Sequence, residues 1–236
     1  TCVSIEHKMG IHASPTCTLV YEEAVGYLIG DENQGMRYMF TMMNNARLSV
    51  GLEGLALAER SHQQSVAFAK ERLQGRAVGG EPGVQAPIIE HADVRRMLLT
   101  QKALIEAMRG RMYLNGRSID LSLHHPDEAV RQEHQEIADL YTPLSKAWGT
   151  EMGLEATSLG IQVHGGMGYI EETGAAQHFR DARIPLIYEG TNGIQAMDLV
   201  GRKLPMRGGA VATEHLDRMG ATAQALVESG DEDLVA

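Results

Sequence analysis

Three long stretches of helical periodicity constrain the fold of this chain more than any other feature. Apolar residues recur at helical spacing over residues 35–72, 88–124 and 128–159. The connections between these stretches are short. An amphipathic helix must bury its apolar stripe against another element, and long helices joined by short connections pack as antiparallel neighbours. The sequence therefore predicts a mainly α fold built on an antiparallel helical bundle.

Turn-forming residues mark the boundaries of these helices. Residues 75–87 contain four glycines and two prolines and are predicted to be a loop. Asp127 follows a His-His-Pro turn and is predicted to cap the N-terminus of the third helix. Pro143 is expected to kink that helix or divide it in two, and Gly160 is expected to be its C-cap. The methionines of the first helix are interpreted as core packing: Met39, Met42 and Met43.

The first 31 residues have a different pattern. Residues 1–5 and 16–21 alternate like β-strands around a turn that contains Gly10 and Pro15. Two or three strands form no stable sheet alone, so residues 1–31 are predicted to be the end of an incomplete β-domain. Residues 32–204 are then the helical bundle domain. Residues 205–236 are a tail that contains another helix from near Thr213 and starts a further C-terminal region.

Composition argues against several classes of function. The formal net charge is -10, and no run of lysine or arginine is longer than a pair such as Arg95-Arg96. Because nucleic-acid phosphates need a concentrated basic surface, a nucleic-acid binder is not expected. Cys2 and Cys17 form no Cys-x-x-Cys unit, so neither a metal site nor an oxidising compartment is indicated. No stretch approaches the roughly 18 apolar residues of a membrane span, and we predict a cytoplasmic protein. The chain also begins in mid-sheet without a methionine, which predicts that it is part of a longer protein.

Two motifs in the second half of the chain could carry chemistry. Tyr188-Glu189-Gly190-Thr191 places a carboxylate on a loop between a helix and a new apolar run. Such a position suits a base presented to a cleft, although most loop glutamates are merely solvated. Residues 162–169 read Gln-Val-His-Gly-Gly-Met-Gly-Tyr and follow a helix, so they are not a dinucleotide-binding fingerprint, which follows a strand. Taken alone, this segment predicts a turn.

Together, in this order and at this spacing, the two motifs resemble those of the flavin-dependent acyl-CoA dehydrogenases. The C-terminal helical domain of that family carries a Gln-x-x-Gly-Gly-x-Gly-Tyr/Phe segment followed by Tyr-Glu-Gly-Thr. The similarity extends from about Lys8 to about Leu204, and residues 91–96 and 188–195 are most similar to a longer bacterial branch. The resemblance implies a helical domain that follows a middle β-domain, forms homo-oligomers and shares FAD sites between subunits.

The resemblance also implies a reaction and the residues for it. Family members remove a proton from the α-carbon of an acyl-CoA thioester while a hydride leaves the β-carbon for FAD. An electron-transfer flavoprotein or a similar acceptor then takes up the electrons. Glu189 matches the catalytic base. The positions that match FAD contacts, several of them to the FAD of a neighbouring subunit in a dimer or tetramer, are Arg72, Gln74, Gln162, Gly165, Gly166 and Thr191. The positions that match the acyl-CoA site are Arg47, Asn44, Tyr188 and Gly190.

Some positions depart from the family pattern and leave alternatives open. Gln74 stands where many members have Thr or Ser, Gly193 where many have Gln, and Asn44 where Asp is common. For Arg47, a structural role between helices fits the sequence as well as a substrate contact. Two other functions stay open. One is a flavin-binding relative of the DNA-alkylation-response type without dehydrogenase activity, against which the acidic composition counts. The other is a structural oligomerisation bundle without flavin.

Overall fold

The computed structural model describes residues 1–230, except for the side chain of Asn44, and it is mainly helical. In the contact between the second and third long helices, Asn115 donates a hydrogen bond to Ser145 and Gln101 donates one to the carbonyl of Ala156. These two helices therefore run antiparallel, and the predicted fold class is confirmed. The three helices of the bundle are α1 (Gly35–Glu71), α2 (Ala92–His124) and α3 (Glu128–His164).

Helices α1 and α3 cross closely because glycines face each other at the contact. Gly51 and Gly54 of α1 lie against Gly149 and Gly153 of α3. A Cβ atom on Gly54 would lie 2.5 Å from the carbonyl oxygen of Gly149, and one on Gly153 would lie 2.7 Å from that of Gly54. Backbones approach this closely only where side chains are absent. The order of the contacts shows that α1 and α3 are parallel to each other.

Gly160 lies inside α3, so the prediction that it caps this helix is wrong. The helix continues to His164, and its C-cap is Gly165, with φ 59° and ψ -138°. A Cβ atom on Gly160 would lie 2.1 Å from Oγ of Ser61 on α1. Contact with the neighbouring helix therefore requires this glycine, and a local sequence pattern does not reveal such a contact.

Helix α3 begins as predicted but is not divided at Pro143. Oδ1 of Asp127 accepts a 2.8 Å hydrogen bond from the N–H of Ala129, which confirms the N-cap. The helix is then continuous through Pro143, which is fully buried. Proline removes a single backbone hydrogen bond from the helix. Packing of α3 against both α1 and α2 keeps the helix continuous despite that loss.

The apolar core lies between the three long helices. Met39 and Met42, near the start of α1, are outside it and are 38% and 61% exposed. The prediction that these methionines pack in the core is wrong, because the buried positions of α1 begin only at Arg47. The larger cluster of the core consists of Leu55, Ala58, Ile105, Met108, Met112 and Ala156.

The N-terminal residues form a small antiparallel hairpin of β1 (Cys2–Ile5) and β2 (Cys17–Leu19). Both strands are exposed on all their residues. The connection between them lies against α4 (Ala175–Asp181), where the N–H of Ile11 donates a 2.7 Å hydrogen bond to Oδ1 of Asp181. The hairpin loop is thereby placed beside the segment that leads to Tyr188.

Shorter helices follow α3 and carry the chain past both motifs. They are α4 (Ala175–Asp181), α5 (Asn192–Asp198), a π-helical turn (Leu199–Lys203) and α6 (Ala210–Ser229). The helix predicted near Thr213 therefore begins three residues earlier, at Ala210. Across residues 1–230, no helix combines the length and the apolar character that crossing a membrane requires.

Candidate active site

The loop of residues 188–191 lies against α1 and α3 at the middle of the bundle. The hydroxyl of Tyr188 donates a short hydrogen bond to Oε2 of Glu53 on α1. Glu189 follows with φ 55° and Gly190 with φ 86°. A positive φ is unfavourable for a glutamate, so the surrounding contacts must hold it in place. Glu189 is half-buried, and the structure records no hydrogen bond or ion pair of its carboxylate with residues 1–230.

Helix α5 holds the C-terminal side of this loop. Oγ1 of Thr191 caps the helix by accepting a 3.3 Å hydrogen bond from the N–H of Ile194. Nε2 of the buried Gln195 donates a 3.1 Å hydrogen bond to the carbonyl of Gly190. A Cβ atom on Gly190 would lie 2.8 Å from that nitrogen, so both the positive φ and the close contact require glycine there. The loop is therefore fixed on the side that follows Glu189.

Arg47 lies beneath the loop and not on its surface. It is 6% exposed, and its Nη1 forms a 3.2 Å ion pair with Oδ2 of Asp198, which is 3% exposed. This pair connects α1 to the end of α5. The structure thus favours the helix–helix role that the sequence left open for Arg47. Asn44 is one turn earlier on α1, and its side chain is outside the described part of the structure.

Lys146 of α3 is the largest fully buried side chain in the described chain. Its Nζ donates a 2.9 Å hydrogen bond to Oδ1 of Asn192, three residues after Glu189. Nδ2 of Asn192 in turn donates to Oγ1 of Thr150 and to Oε1 of Glu151. Sequence reasoning missed both Lys146 and Glu53. The signal that could have identified them is that each is a charged residue in the middle of a long helix that the sequence pattern predicted to pack in the bundle.

The electrostatic environment shifts three of these groups. Burial raises the pKa of the Glu53 carboxyl, with Asp181 adding to the effect, while the hydrogen bond from Tyr188 lowers it. Burial also raises the pKa of the Tyr188 phenol far above its ordinary value, and the hydrogen bond to Glu53 acts in the same direction. Burial lowers the pKa of Lys146 to about 8, against the attraction of Glu151 and Glu189. Tyr188 is therefore a neutral donor at physiological pH, whereas Lys146 is mostly charged.

A cavity of about 560 Å³ lies beside Tyr188. Its size falls within the range of small-molecule sites, and most of its lining surface is apolar. The hairpin loop forms one wall and the segment before Tyr188 forms the other. The lining includes Met9, Ile11, Arg183, Ile184 and Ile187.

The remaining predicted cofactor residues lie at a different end of the bundle. Phe68 near the end of α1 stacks on His164 at the end of α3, with ring centroids 4.5 Å apart. This contact brings Arg72 and Gln74 to the same end as residues 162–166. Glu53, which contacts Tyr188, precedes Phe68 by 15 positions of α1, and such a length of helix spans about 22 Å. Thr191 is the one predicted cofactor residue beside Glu189.

This second set fits a phosphate-bearing group. Arg72 is exposed, and its guanidinium forms no ion pair or hydrogen bond with residues 1–230. Gly165 and Gly166 are exposed, and a Cβ atom on either would meet nothing within 4 Å. A free guanidinium near an open glycine segment provides a fork of donors and an accessible backbone, which pyrophosphate recognition uses. Gln74 and Gln162 are exposed at the same end.

Comparison with known proteins identifies the family of this chain. The model of the family described as "Acyl-CoA dehydrogenase, C-terminal domain" matches residues 33–204. The chain belongs to the acyl-CoA dehydrogenase family, as its two motifs predicted. It is 50% identical over 229 residues to 3-methylmercaptopropionyl-CoA dehydrogenase of Ruegeria pomeroyi, an alignment that covers 97% of this chain and 39% of that protein.

Two further relatives are less similar to this chain. A butyryl-CoA dehydrogenase of Syntrophomonas wolfei is 38% identical, over 93% of this chain and 37% of that protein. The solved structure of butyryl-CoA dehydrogenase from Megasphaera elsdenii matches with a TM-score of 0.68 at 27% identity, over 86% of this chain and 48% of that one. The chain thus spans less than half the length of these relatives.

Proposed function

We propose that this chain carries the catalytic base and the helical half of a flavin-dependent acyl-CoA dehydrogenase. The reaction is the α,β-dehydrogenation of an acyl-CoA thioester to the trans-2-enoyl-CoA. The single observation that carries the proposal is the state of Glu189. Its carboxylate is half-buried without a partner among residues 1–230, while contacts on both sides hold the loop that presents it.

Glu189 accepts the proton from the α-carbon of the thioester in this proposal. The ordinary pKa of a glutamate, about 4.3, is far below that of a thioester α-C–H, so the site must stabilise the developing enolate. The backbone N–H of Glu189 donates to no acceptor in the described chain. It is therefore free to donate to the thioester oxygen, as an oxyanion hole requires.

FAD supplies the acceptor for the hydride that leaves the β-carbon, and an electron-transfer flavoprotein or a similar protein then removes the electrons. The apolar cavity is lined by Tyr188, the residue before the base, and provides space for apolar parts of substrate or cofactor. Tyr188 shapes that cavity as a neutral phenol held by Glu53. Gly190 permits the close approach of Gln195 that fixes the loop.

The second set of residues supports a site shared between subunits. We assign Arg72, Gln74, Gln162, Gly165 and Gly166 to the FAD of a neighbouring subunit in a homodimer or tetramer. These residues are separated from Glu189 by several turns of α1, and this distance supports the assignment of the two groups of residues to different sites of the oligomer. Thr191 is assigned to the FAD beside its own Glu189.

The names of two relatives suggest the substrate class. One is named for 3-methylmercaptopropionyl-CoA and the other for butyryl-CoA, both short acyl thioesters. We propose that the complete protein acts on short acyl-CoA thioesters, with the 3-methylmercaptopropionyl compound as the first candidate because of the 50% identity.

The experiment uses the complete, FAD-loaded protein under anaerobic conditions. The visible spectrum is recorded before and after addition of 3-methylmercaptopropionyl-CoA, butyryl-CoA and a long-chain acyl-CoA. We expect a short thioester to bleach the flavin. Glu189→Gln should abolish the bleaching while FAD stays bound, and Glu172→Gln, an exposed carboxylate near the other motif, should leave it unchanged. Undiminished bleaching by Glu189→Gln would remove Glu189 from the mechanism, and a yellow protein that no thioester bleaches would contradict the dehydrogenase assignment.

A further inference from the structure

Lys146 is an unusual group to find under the loop of a catalytic base. It is 0% exposed and lies on α3, which packs against both other long helices. Among residues 1–230 it forms no ion pair, and its Nζ donates to the neutral amide oxygen of Asn192 at 2.9 Å. A buried ammonium without an ion-pair partner is costly and is retained only where other charges or hydrogen bonds compensate it.

Asn192 connects this ammonium to the loop. It is the first residue of α5 and lies three positions after Glu189. Its side chain is held on both sides, because Oδ1 accepts from Lys146 and Nδ2 donates to the carbonyl of Ala147 and to Thr150 and Glu151. Lys146 is therefore one of the contacts that hold the first residue of α5, and with it the loop that carries Glu189, against α3.

The charges around Lys146 come from three elements. Glu151 lies on the same helix and Glu189 on the loop, and both favour the charged ammonium. Arg47 on α1 opposes it, but the positive charge of Arg47 is compensated by Asp198 of α5. The ammonium of Lys146 is therefore held by the charges of Glu151 and Glu189 as well as by its hydrogen bond to Asn192.

We propose that Lys146 is a positioning residue for Glu189, because its buried ammonium anchors the loop through a charge-assisted hydrogen bond to Asn192. This inference rests on the proposed function of Glu189. It adds to that function a buried cation on α3 whose protonation affects the rate of the chemical step, since a neutral amine is a weaker donor to Asn192.

The pH dependence of flavin reduction tests the proposal. Burial lowers the pKa of Lys146 to about 8, so the ammonium loses its proton above that pH. We expect the rate of acyl-CoA-driven flavin reduction in the complete FAD-loaded protein to fall as the pH rises through about 8. In Lys146→Met, which cannot donate to Asn192, the rate at pH 7 should be about tenfold lower, the equivalent of one lost hydrogen bond to a charged group, and the fall near pH 8 should be absent.

A surface variant keeps the test valid even if substitutions of the buried lysine impair folding. Glu151 is exposed and raises the pKa of Lys146, so Glu151→Gln should lower that pKa and move the fall in rate to lower pH. Its amide oxygen can still accept the hydrogen bond from Asn192. As a matched control, Lys203→Met removes a lysine that pairs with Asp139 outside the site, and it should change neither the rate nor the profile.

The outcomes separate this inference from the proposed function. Retention of the wild-type profile by both Lys146→Met and Glu151→Gln, with FAD bound, would overturn the role of Lys146. If Glu189→Gln abolishes reduction in the same assay, the proposed function stands while the role of Lys146 fails. If Glu189→Gln retains reduction, the proposed function itself fails. A purely structural lysine would lower the rate of Lys146→Met equally at every pH and would leave Glu151→Gln unchanged, and this result would also contradict the proposal.

Discussion

The phenolic hydroxyl of Tyr188 donates a hydrogen bond to the carboxylate of Glu53, which lies 135 positions earlier in the chain. The contact joins the middle of α1 to the residue immediately before the proposed base. Burial raises the pKa of both groups, and the hydrogen bond between them raises the pKa of Tyr188 further while it lowers that of Glu53. One side of the loop is therefore held through a half-buried carboxylate whose charge is unfavourable in the folded state.

Replacing Glu53 by glutamine should change how stability depends on pH. The pKa of Glu53 is higher in the folded than in the unfolded protein. Its contribution to stability is therefore complete below the ordinary pKa of about 4.3 and is lost as the pH rises through the folded value. At pH 7, Glu53→Gln should be as stable as wild type or more stable, by roughly a few tenths of a kcal/mol because Glu53 is only half-buried. Urea denaturation across this pH range measures the difference, which should disappear or reverse in acid.

The strain of the positive φ at Glu189 should be measurable as a difference in stability, independently of catalysis. At φ 55°, asparagine is tolerated better than alanine. We expect Glu189→Asn to be more stable than Glu189→Ala by roughly 0.5–1 kcal/mol in urea denaturation, with both variants lacking the base. At Glu155, an exposed position inside α3, the order should reverse because alanine is the better helix former. Equal stability of the two Glu189 variants would mean that the loop relaxes to a negative φ.

The crossing of α1 and α3 should not tolerate a single added methyl group. The Cβ atom of Gly54→Ala would lie 2.5 Å from the carbonyl oxygen of Gly149 and 3.0 Å from Cα of Thr150. Since backbone atoms must move to make room, we expect a loss of about 1–3 kcal/mol in free energy of unfolding. Gly116→Ala on α2 meets nothing within 4 Å and should be neutral or stabilising by up to about 1 kcal/mol. Urea denaturation measures both variants, and similar unfolding midpoints for the two would contradict the close crossing of α1 and α3.

Assignment of Arg72 and Glu189 to different sites predicts complementation between subunits. Arg72→Glu should weaken FAD binding at the neighbour's site, and Glu189→Gln should remove the base from its own site. Each variant alone should be inactive. When the two are co-expressed and purified together as random dimers, about a quarter of the sites should contain both intact residues and recover activity. Absence of any recovery in isolated mixed oligomers would place both residues in one site.

The sequence alone determined the architecture and the candidate base. Helical periodicity over three long stretches is a local signal, and it predicted the bundle that the structure contains. Asp127 caps its helix through an atom two residues away, so a local pattern was sufficient there too. The order and spacing of Gln162–Tyr169 and Tyr188–Thr191 identified the family, which the match over residues 33–204 confirms.

Only the tertiary structure decided which residues lie against each other and which are buried. Gly160 resembled a helix end, but it is a glycine because Ser61 of another helix lies against it. Met39 and Met42 fitted an apolar stripe, but both side chains are exposed in the folded chain. Lys146 and Glu53 are ordinary charged residues in the sequence, and they support the loop because folding brings them to Asn192 and Tyr188. Periodicity reports which face of a helix is apolar, whereas burial and pairing depend on what packs against that face, and these partners lie 46 to 135 positions away in the chain.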